Sequence, residues 1–247
     1  MTINSDIQNI GRAKFRRFFT SPSVSIVRIQ IEGTSFFFAV DNNTDLIQRH
    51  HLRGKFYEIE ELEIIRKHFP KNGVFLDIGA NVGNHTLYAL KMLGASKSIV
   101  IEPNKVAYDL LVTNIVLNSL EEKCDFSGIG MGLSDTEVEN MGVNFNSKNV
   151  GGGRLIEGEG DIPTQTGDSL IGDQVVDFIK LDVEGMELAV LQGLENTISR
   201  FRPPLFIEVD NKNDEQFKIW LDRKEYKIVD TFKRYRTNCN YMILPDS

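Results

Sequence analysis

VFLDIGANVGNHTLYAL (Val74–Leu90) sets two apolar runs on either side of an acid, two glycines and an asparagine. The first run reads as a short buried strand, and the second as a helix ending at Gly94. In an open α/β sheet, ligands bind beyond the carboxyl ends of the strands, where the chain turns into a helix. Asp77 to Gly83 occupies such a turn. Gly79 and Gly83 let a ligand approach the backbone, and the following helix offers free N–H groups. Asp77 places a carboxylate in the turn, which disfavours a pyrophosphate and suits a ligand with a cationic head. A dinucleotide-binding G-x-G-x-x-G beginning at Gly79 would need glycine at Asn81 and Asn84, and no Gly-Lys-Ser/Thr of a phosphate loop is present. A tight strand–helix corner that holds nothing is the alternative reading.

Outward from this turn, short apolar strands alternate with amphipathic helices. SIVIEP, DFSGIGMGLSD, VVDFIKLDVEG and PPLFIEVD read as strands; KVAYDLLVTNIVLN and MELAVLQGLENTIS read as helices. That pattern predicts a parallel sheet covered on both faces. YKIVDTF and CNYMILP, joined by KRYRTN, predict an antiparallel hairpin at one edge. Upstream, VSIVRIQIEGTSFFFAVD predicts a β-hairpin turning at Glu32–Thr34. Ile59, Leu62, Ile65 and Phe69 recur at helical spacing ahead of Pro70. Residues 137–167 include NVGGGRLIEGEG (Asn149–Gly160), whose glycines predict an irregular, mobile loop, either a surface excursion or a substrate-facing lid.

Composition narrows the function. The 247 residues suffice for one large domain; 41% hydrophobic and 26% charged residues are those of a soluble globule. A net charge of −7 disfavours nucleic acid as a partner. Cys124 and Cys239 make neither a disulfide framework nor a zinc motif, so the cytoplasm is expected. No apolar run approaches the roughly 18 residues of a transmembrane helix. The N-terminus carries Arg12, Lys14, Arg16 and Arg17 among Phe15, Phe18 and Phe19, and reads as a basic helix, solvated, capping the domain or lying on a membrane surface. The chain divides into residues 1–56, an N-terminal extension with this helix and the hairpin, and residues 57–247, the main domain. Self-association is left open.

Glu102 ends the second strand of the alternating series, followed by Pro103 and Asn104, and is placed to accept both hydroxyls of a ribose. With the carboxylate at Asp77 and the turn through Gly79, Ala80, Asn81, Gly83 and Asn84, this adds up to S-adenosylmethionine. Its amino group would meet Asp77, and its adenine would reach Ser134 and Asp135 at the end of the third strand.

FLDIGANVGNHTLYA, IEPN, FIKLDVEGMELAVLQGLE, RPPLFIEV and EYKIV together resemble the FkbM family of class I S-adenosylmethionine-dependent methyltransferases, from about Tyr57 to about Val229. The resemblance implies a Rossmann-like seven-stranded sheet, mostly parallel with an antiparallel C-terminal edge strand. It also implies methyl transfer to a hydroxyl oxygen of a sugar, glycan or natural-product acceptor, with residues 137–167 setting acceptor choice.

An alcohol is a weak nucleophile, so a base or a metal is useful. Asp182, at the end of a central strand, is the first candidate base and also borders the cofactor. Glu184 faces the acceptor or caps the next helix, and His85 is a second base or a packing group. Glu208 joins them from the neighbouring strand; with Asp182 it could hold a divalent cation, Asp210 and Asn211 adding oxygens, but no metal site is assigned. Lys180 reads as a buried ion pair or a surface group, and His50, His51 and His68 as surface or lid groups. The rivals are an NAD-type oxidoreductase, disfavoured by Asn81 and Asn84, and a non-catalytic nucleoside-binding module, opposed by the acids Asp77, Glu102, Asp182 and Glu184. Nitrogen rather than oxygen as the methyl acceptor stays open.

Overall fold

The computed structural model describes residues 24–146, 149–157 and 160–246; the basic segment around Arg12–Arg17 lies outside them. The chain begins with a hairpin, β1 (Ser25–Ile31) and β2 (Thr34–Val40), in register from Ser25↔Val40 to Ile31↔Thr34. Glu32 and Gly33 both take positive φ, 47° and 81°, the two-residue turn that matches strand twist. The backbone of β2 is bonded to the domain: Ala39 N–H donates to Asn114 Oδ1 at 2.7 Å and Phe37 N–H to Asn118 Oδ1 at 3.1 Å. These amides stand in for a neighbouring strand and cover an edge that would otherwise be open. Phe36 and Phe38 are fully buried in the same core as Phe75 and Val100.

α1 (Leu46–Leu52) follows, capped by Asp45, and then α2 (Ile59–His68). α2 buries Glu61, Leu62, Ile64 and Ile65, while Ile59 is exposed, contrary to the expected spacing. β3 (Val74–Ile78) leads into α3 (Asn84–Tyr88), which continues as one π-turn over Ala89–Leu93 and stops at left-handed Gly94. β4 (Lys97–Glu102), α4 (Lys105–Leu117) and β5 (Cys124–Ile129) complete one half of the sheet.

After β5 the expected single strand DFSGIGMGLSD breaks at Gly130, φ 77°, and resumes as β6 (Gly132–Leu133) in a second sheet. Over the described residues of 137–167, strands stand in place of the expected irregular loop. β7 (Val138–Asn146) and β8 (Asn149–Glu157) form an antiparallel ladder, and β9 (Ile162–Gln165) joins it, in the order β6-β9-β7-β8. Gly151, Gly152 and Gly153 lie inside β8. Glycine weakens a strand but forbids no ladder bond, and Met141, Val143 and Phe145 keep the alternating pattern of a strand.

The chain then returns through α5 (Gly167–Ile171), β10 (Phe178–Leu181), α6 (Glu187–Gly193), α7 (Glu195–Phe201), β11 (Leu205–Asp210), α8 (Asp214–Lys224) and the hairpin β12 (Tyr226–Phe232) and β13 (Asn238–Pro245). The main sheet runs β12-β13-β11-β10-β3-β4-β5, parallel except for β13. The C-terminal hairpin forms the expected antiparallel edge; within it β12 is outermost and β13 pairs antiparallel with both neighbours. Strand residues alternate between two cores: Leu76, Ile99 and Ile179 pack toward α6–α8, and Phe75, Val100 and Phe178 toward α2–α4. Burial on both faces explains why these strands read as continuous apolar runs. Connections leave β3 in one direction to β4 and β10 pairs on its other side, so the switch point lies between β3 and β10. No helix among the described residues is long and apolar enough to cross a membrane.

Candidate active site

The turn after β3 meets the end of β10 at that switch point. A Cβ on Gly79 would lie 1.9 Å from the Asp182 carbonyl oxygen, and its φ is 75°, so only glycine fits. Gly79 and Ala80 N–H both donate to Ile101 O at 3.0 Å, fastening the turn to β4. Gly83 (φ 85°) starts α3 against Leu111, and a Cβ there would meet Leu111 Cδ1 at 2.7 Å. Gly83 packs against α4 and lines neither of the cavities described below.

Glu102 is held from both sides. Asn81 N–H donates to Oε2 and Asn104 N–H to Oε1, each at 2.8 Å. Asn104 also caps α4 through its side chain. Burial pushes the Glu102 carboxyl up to about 7, against those two N–H groups. A cavity of about 60 Å³ opens on this carboxylate, walled by Ile101, Pro103, Gly132, Leu133 and Met186. Apolar walls beside an acid anchored by two backbone N–H groups suit a nucleoside; Asn81, Asp182 and Glu184 also line the cavity. Ser134 and Asp135, expected as adenine contacts, do not line it: Ser134 is buried with its hydroxyl on Asp135 Oδ1 at 3.1 Å, and Asp135 is exposed. The break at Gly130 moves the end of the third strand, so Gly132 and Leu133 form that wall instead.

A larger cavity of about 260 Å³ shares Gly79, Asn81, Asp182 and Glu184 with the first. Ala80, Asn84, His85 and Glu208 line it too, as do Glu58 and Lys180. Lys180 is buried under the turn. Its Nζ donates to Gly79 O at 2.8 Å and stands 3.6 Å from Asp182 Oδ2 and 3.7 Å from Asp77 Oδ1. Burial opposes its charge, yet Asp182, Asp77, Glu58 and Glu102 together hold the ammonium above its ordinary value. Asp77 is fully buried, takes the Thr86 hydroxyl on Oδ2 at 2.6 Å and lines neither cavity. Burial raises its carboxyl in spite of Lys180. Asp77, expected to meet a cationic head, thus stands behind the cavity walls, where its pair with Lys180 braces the glycine turn.

Glu58 stands in a left-handed conformation (φ 56°), as do Asn81 (φ 50°) and Glu184 (φ 51°). Such non-glycine positions cost of order 1–3 kcal/mol and gather at functional sites; all three line this cavity. Burial, then Asp182 and Glu61, raise Glu58 to about 8. Its Oε2 lies 3.8 Å from His85 Nε2. His85 is held well below its usual value by burial and then Lys180, so it is neutral, and Nε2 has no hydrogen-bond partner. The carboxylates of Asp182, Glu184 and Glu208 bring oxygens within 4.8 Å of one another. Burial, then Asp182 and Glu184, push the Glu208 carboxyl far up. Glu184 is not at the N-cap of α6: Met186 stands there without a side-chain cap bond, and Glu187, in the first turn, accepts the Gly185 N–H at 2.6 Å.

The rim is tied shut on one side. Arg234, in the β12–β13 loop, donates to Glu61 at 2.8 and 2.6 Å and to Glu60 at 2.7 Å, and the Tyr57 and Tyr235 hydroxyls meet at 2.7 Å. Asn84 fixes the other flank by pairing with the Tyr57 backbone, at 3.2 Å to N–H and 2.9 Å to O. His51, expected as a surface or lid group, is buried: it stacks on Phe38 at 3.8 Å, and its Nε2 meets Asn84 Oδ1 at 3.1 Å.

Sequence reasoning missed Glu58, which has no motif around it, and left Lys180 undecided although its alternation with Asp182 in FIKLD was visible. Tyr57, Tyr235 and Asn238 carried no signal at all. The donor set fits S-adenosylmethionine: a glycine cradle that a Cβ would fill, and a buried acid, held by two backbone N–H groups, on the wall of a cavity with apolar residues.

A family model described as the methyltransferase FkbM domain matches residues 77–241. The chain is 26% identical over 204 residues to methyltransferase sdnD of Sordaria araneosa, covering 64% of this chain and 78% of that protein. It is 25% identical over 181 residues to hexuronic acid methyltransferase AglP of Haloferax volcanii, covering 68% of each. Among solved structures, Streptococcus pneumoniae Sp1610 in complex with S-adenosyl-L-methionine superposes with a TM-score of 0.51 at 15% identity, over 75% of this chain and 72% of that one. The tRNA methyltransferase TrmK of B. subtilis gives 0.50 at 13%, over 76% and 66%; at these identities the likeness is one of fold. The matched domain runs from the end of β3 into β13 and holds both cavities' shared wall, and on that ground the chain belongs to the FkbM methyltransferase family, with S-adenosylmethionine as its cofactor.

Proposed function

We propose that this protein methylates a hydroxyl oxygen of a small polyhydroxylated acceptor, a sugar or glycan unit, bound in the larger cavity. The observation that carries the reading is the shared wall: Gly79, Asn81, Asp182 and Glu184 line both the cavity on Glu102 and the larger polar one. A reacting methyl belongs at such a junction. Residues 57–247 form the methyltransferase domain in this reading, with residues 1–56 as an extension. The unbridged Cys124 and Cys239 support a cytoplasmic enzyme. A net charge of −7 and an acid-lined cavity argue against an RNA acceptor.

When bound, S-adenosylmethionine supplies a methyl group made electrophilic by its sulfonium. The chain's part is to bind, orient and move a proton. Glu102 accepts the ribose hydroxyls, with Asn81 and Asn104 keeping its oxygens in place. Lys180 holds the Gly79 carbonyl and Asp182 in one register. Two groups face the acceptor side as proton acceptors, Asp182 and neutral His85. Single-turnover methyl transfer by Asp182→Asn and His85→Ala, alongside cofactor affinity, separates them.

The relative AglP is named for a hexuronic acid, which supports a sugar acceptor here. The four carboxylates on the cavity wall, Glu58, Asp182, Glu184 and Glu208, favour a neutral sugar over an anionic one when no cation is bound. The same wall favours a second reading, methylation of an amine. A paired assay with a hydroxyl acceptor and its amino-sugar counterpart decides between them.

A further inference from the structure

We propose that Asp182, Glu184 and Glu208 bind one hard divalent cation, Mg²⁺ or Mn²⁺, at the floor of the acceptor cavity. The inference rests on the reading of that cavity as the acceptor site and gives it an inorganic component.

The three carboxylates come from the ends of two adjacent parallel strands, β10 and β11, and each brings an oxygen within 4.8 Å of the others. Oxygens bound at roughly 2.0–2.6 Å to one ion stand at most about 4–5 Å apart, so the group encloses a single ion without rearranging the sheet. All donors are oxygens, which selects hard cations over zinc or copper.

Two further observations point to a ligand here. The His85 side chain is only 8% exposed, lines the same cavity, and its Nε2 has no hydrogen-bond partner. Asn238 Oδ1 is likewise buried without a donor. Asn238 lines the large cavity and also a smaller one of about 40 Å³, whose walls include Glu184, Glu208 and Asp210. An amide oxygen with no donor, beside two of the three acids and a space of ion or water size, is a fourth ligand in waiting. Charge leads the same way: four acids line the large cavity against one lysine, and Lys180 sits on the side of Asp182 toward the glycine turn. A bound ion would offset the surplus, leave coordination positions for acceptor oxygens, and leave His85 Nε2 to take the hydroxyl proton.

The test uses the full chain, stripped with chelator and without cofactor. Mn²⁺ is titrated by calorimetry and followed by electron paramagnetic resonance, with Mg²⁺ as competitor. The expected result is a single saturable Mn²⁺ site, displaced by Mg²⁺ and weakened about tenfold or more in Glu208→Gln and in Asp182→Asn. Glu184→Gln serves as a third variant should either fail to give a cooperative thermal transition. Glu102→Gln should bind Mn²⁺ as wild type does while binding S-adenosylhomocysteine about 10- to 100-fold more weakly, which separates a failure of the metal site from a failure of the methyltransferase reading. Absence of a saturable site up to millimolar Mn²⁺, or an affinity unchanged in the folded carboxylate variants, overturns the proposal.

Discussion

Glu102→Gln tests the proposed nucleoside anchor with the least disturbance of shape. In the wild type each carboxylate oxygen takes one backbone N–H, from Asn104 and Asn81, at 2.8 Å. Each oxygen keeps a lone pair for a ribose hydroxyl. The amide variant retains one acceptor and sets an NH₂ group against a backbone N–H, so one of the two ribose contacts is lost and the other is no longer charge-assisted. Hydrogen bonds to a charged group contribute about 1.5–3 kcal/mol, which is about 10- to 100-fold in affinity. The fold responds differently. Burial raises this carboxyl to about 7 from 4.5, so the folded state holds the proton more tightly than the unfolded chain. Ionised Glu102 therefore costs stability that grows from about pH 4.5 and levels off above pH 7. Each tenfold difference in proton affinity between the folded and unfolded chain is about 1.4 kcal/mol, which makes the full cost about 3 kcal/mol. The substitution removes that slope while losing one backbone bond, so thermal stability at pH 7 should change little. Ligand affinity has a matching pH dependence. Ribose hydroxyls donate to the ionised form, so wild-type affinity for S-adenosylhomocysteine should rise as pH climbs toward 7 and plateau above it; the variant should be flat. Calorimetric titration at pH 6, 7 and 8 reads both effects. A Glu102→Gln affinity within about threefold of wild type, or the same pH slope in both proteins, refutes the reasoning.

Four other outcomes are expected. Gly79→Ala should abolish S-adenosylhomocysteine binding and lower the melting temperature, because its Cβ would lie 1.9 Å from the Asp182 carbonyl; unchanged binding would show that the turn can relax. Losing the true proton acceptor, Asp182 or His85, should slow single-turnover methyl transfer about 10²–10⁴-fold with cofactor affinity retained; normal rates in both variants would leave positioning alone to carry the reaction. Shortening residues 151–160 should alter acceptor use and leave cofactor affinity within about threefold, under 1 kcal/mol; lost cofactor binding would assign this segment to the nucleoside site. Arg234→Ala strands the buried Glu61 carboxylate and should cost about 2–3 kcal/mol in urea unfolding, discounted because Arg234 is 25% exposed; an unchanged midpoint would show that Glu61 is neutralised some other way.

The sheet was legible because both its faces are buried: Leu76, Ile99 and Ile179 had to be apolar, and so did Phe75, Val100 and Phe178, which leaves unbroken runs in the sequence. The places of Gly79 and Glu102 at strand ends were legible because a strand end followed by a helix constrains which residues can stand there. What stayed hidden depends on neighbours from distant parts of the chain. Asp77 reads as a ligand contact until Lys180, across the β3–β10 pairing, and Thr86 seal it. Glu58 reads as one acid among several before a helix, and only packing against His85 makes it part of the site. Ser134 and Asp135 were misplaced because one left-handed glycine, Gly130, ends the third strand early. The glycines of β8 suggested irregular backbone, since local flexibility is visible in sequence and the partner strand that overrides it is not.

The central claim, methyl transfer to a hydroxyl, is tested most directly by product analysis. The protein is incubated with methyl-labelled S-adenosylmethionine and a panel of neutral sugars, hexuronic acids and amino sugars, with and without Mn²⁺, and the labelled product is located by mass spectrometry and NMR. The account predicts a labelled methyl ether on a sugar oxygen. A labelled N-methyl product, or no transfer to any member of the panel while S-adenosylhomocysteine binds at Glu102, would contradict it.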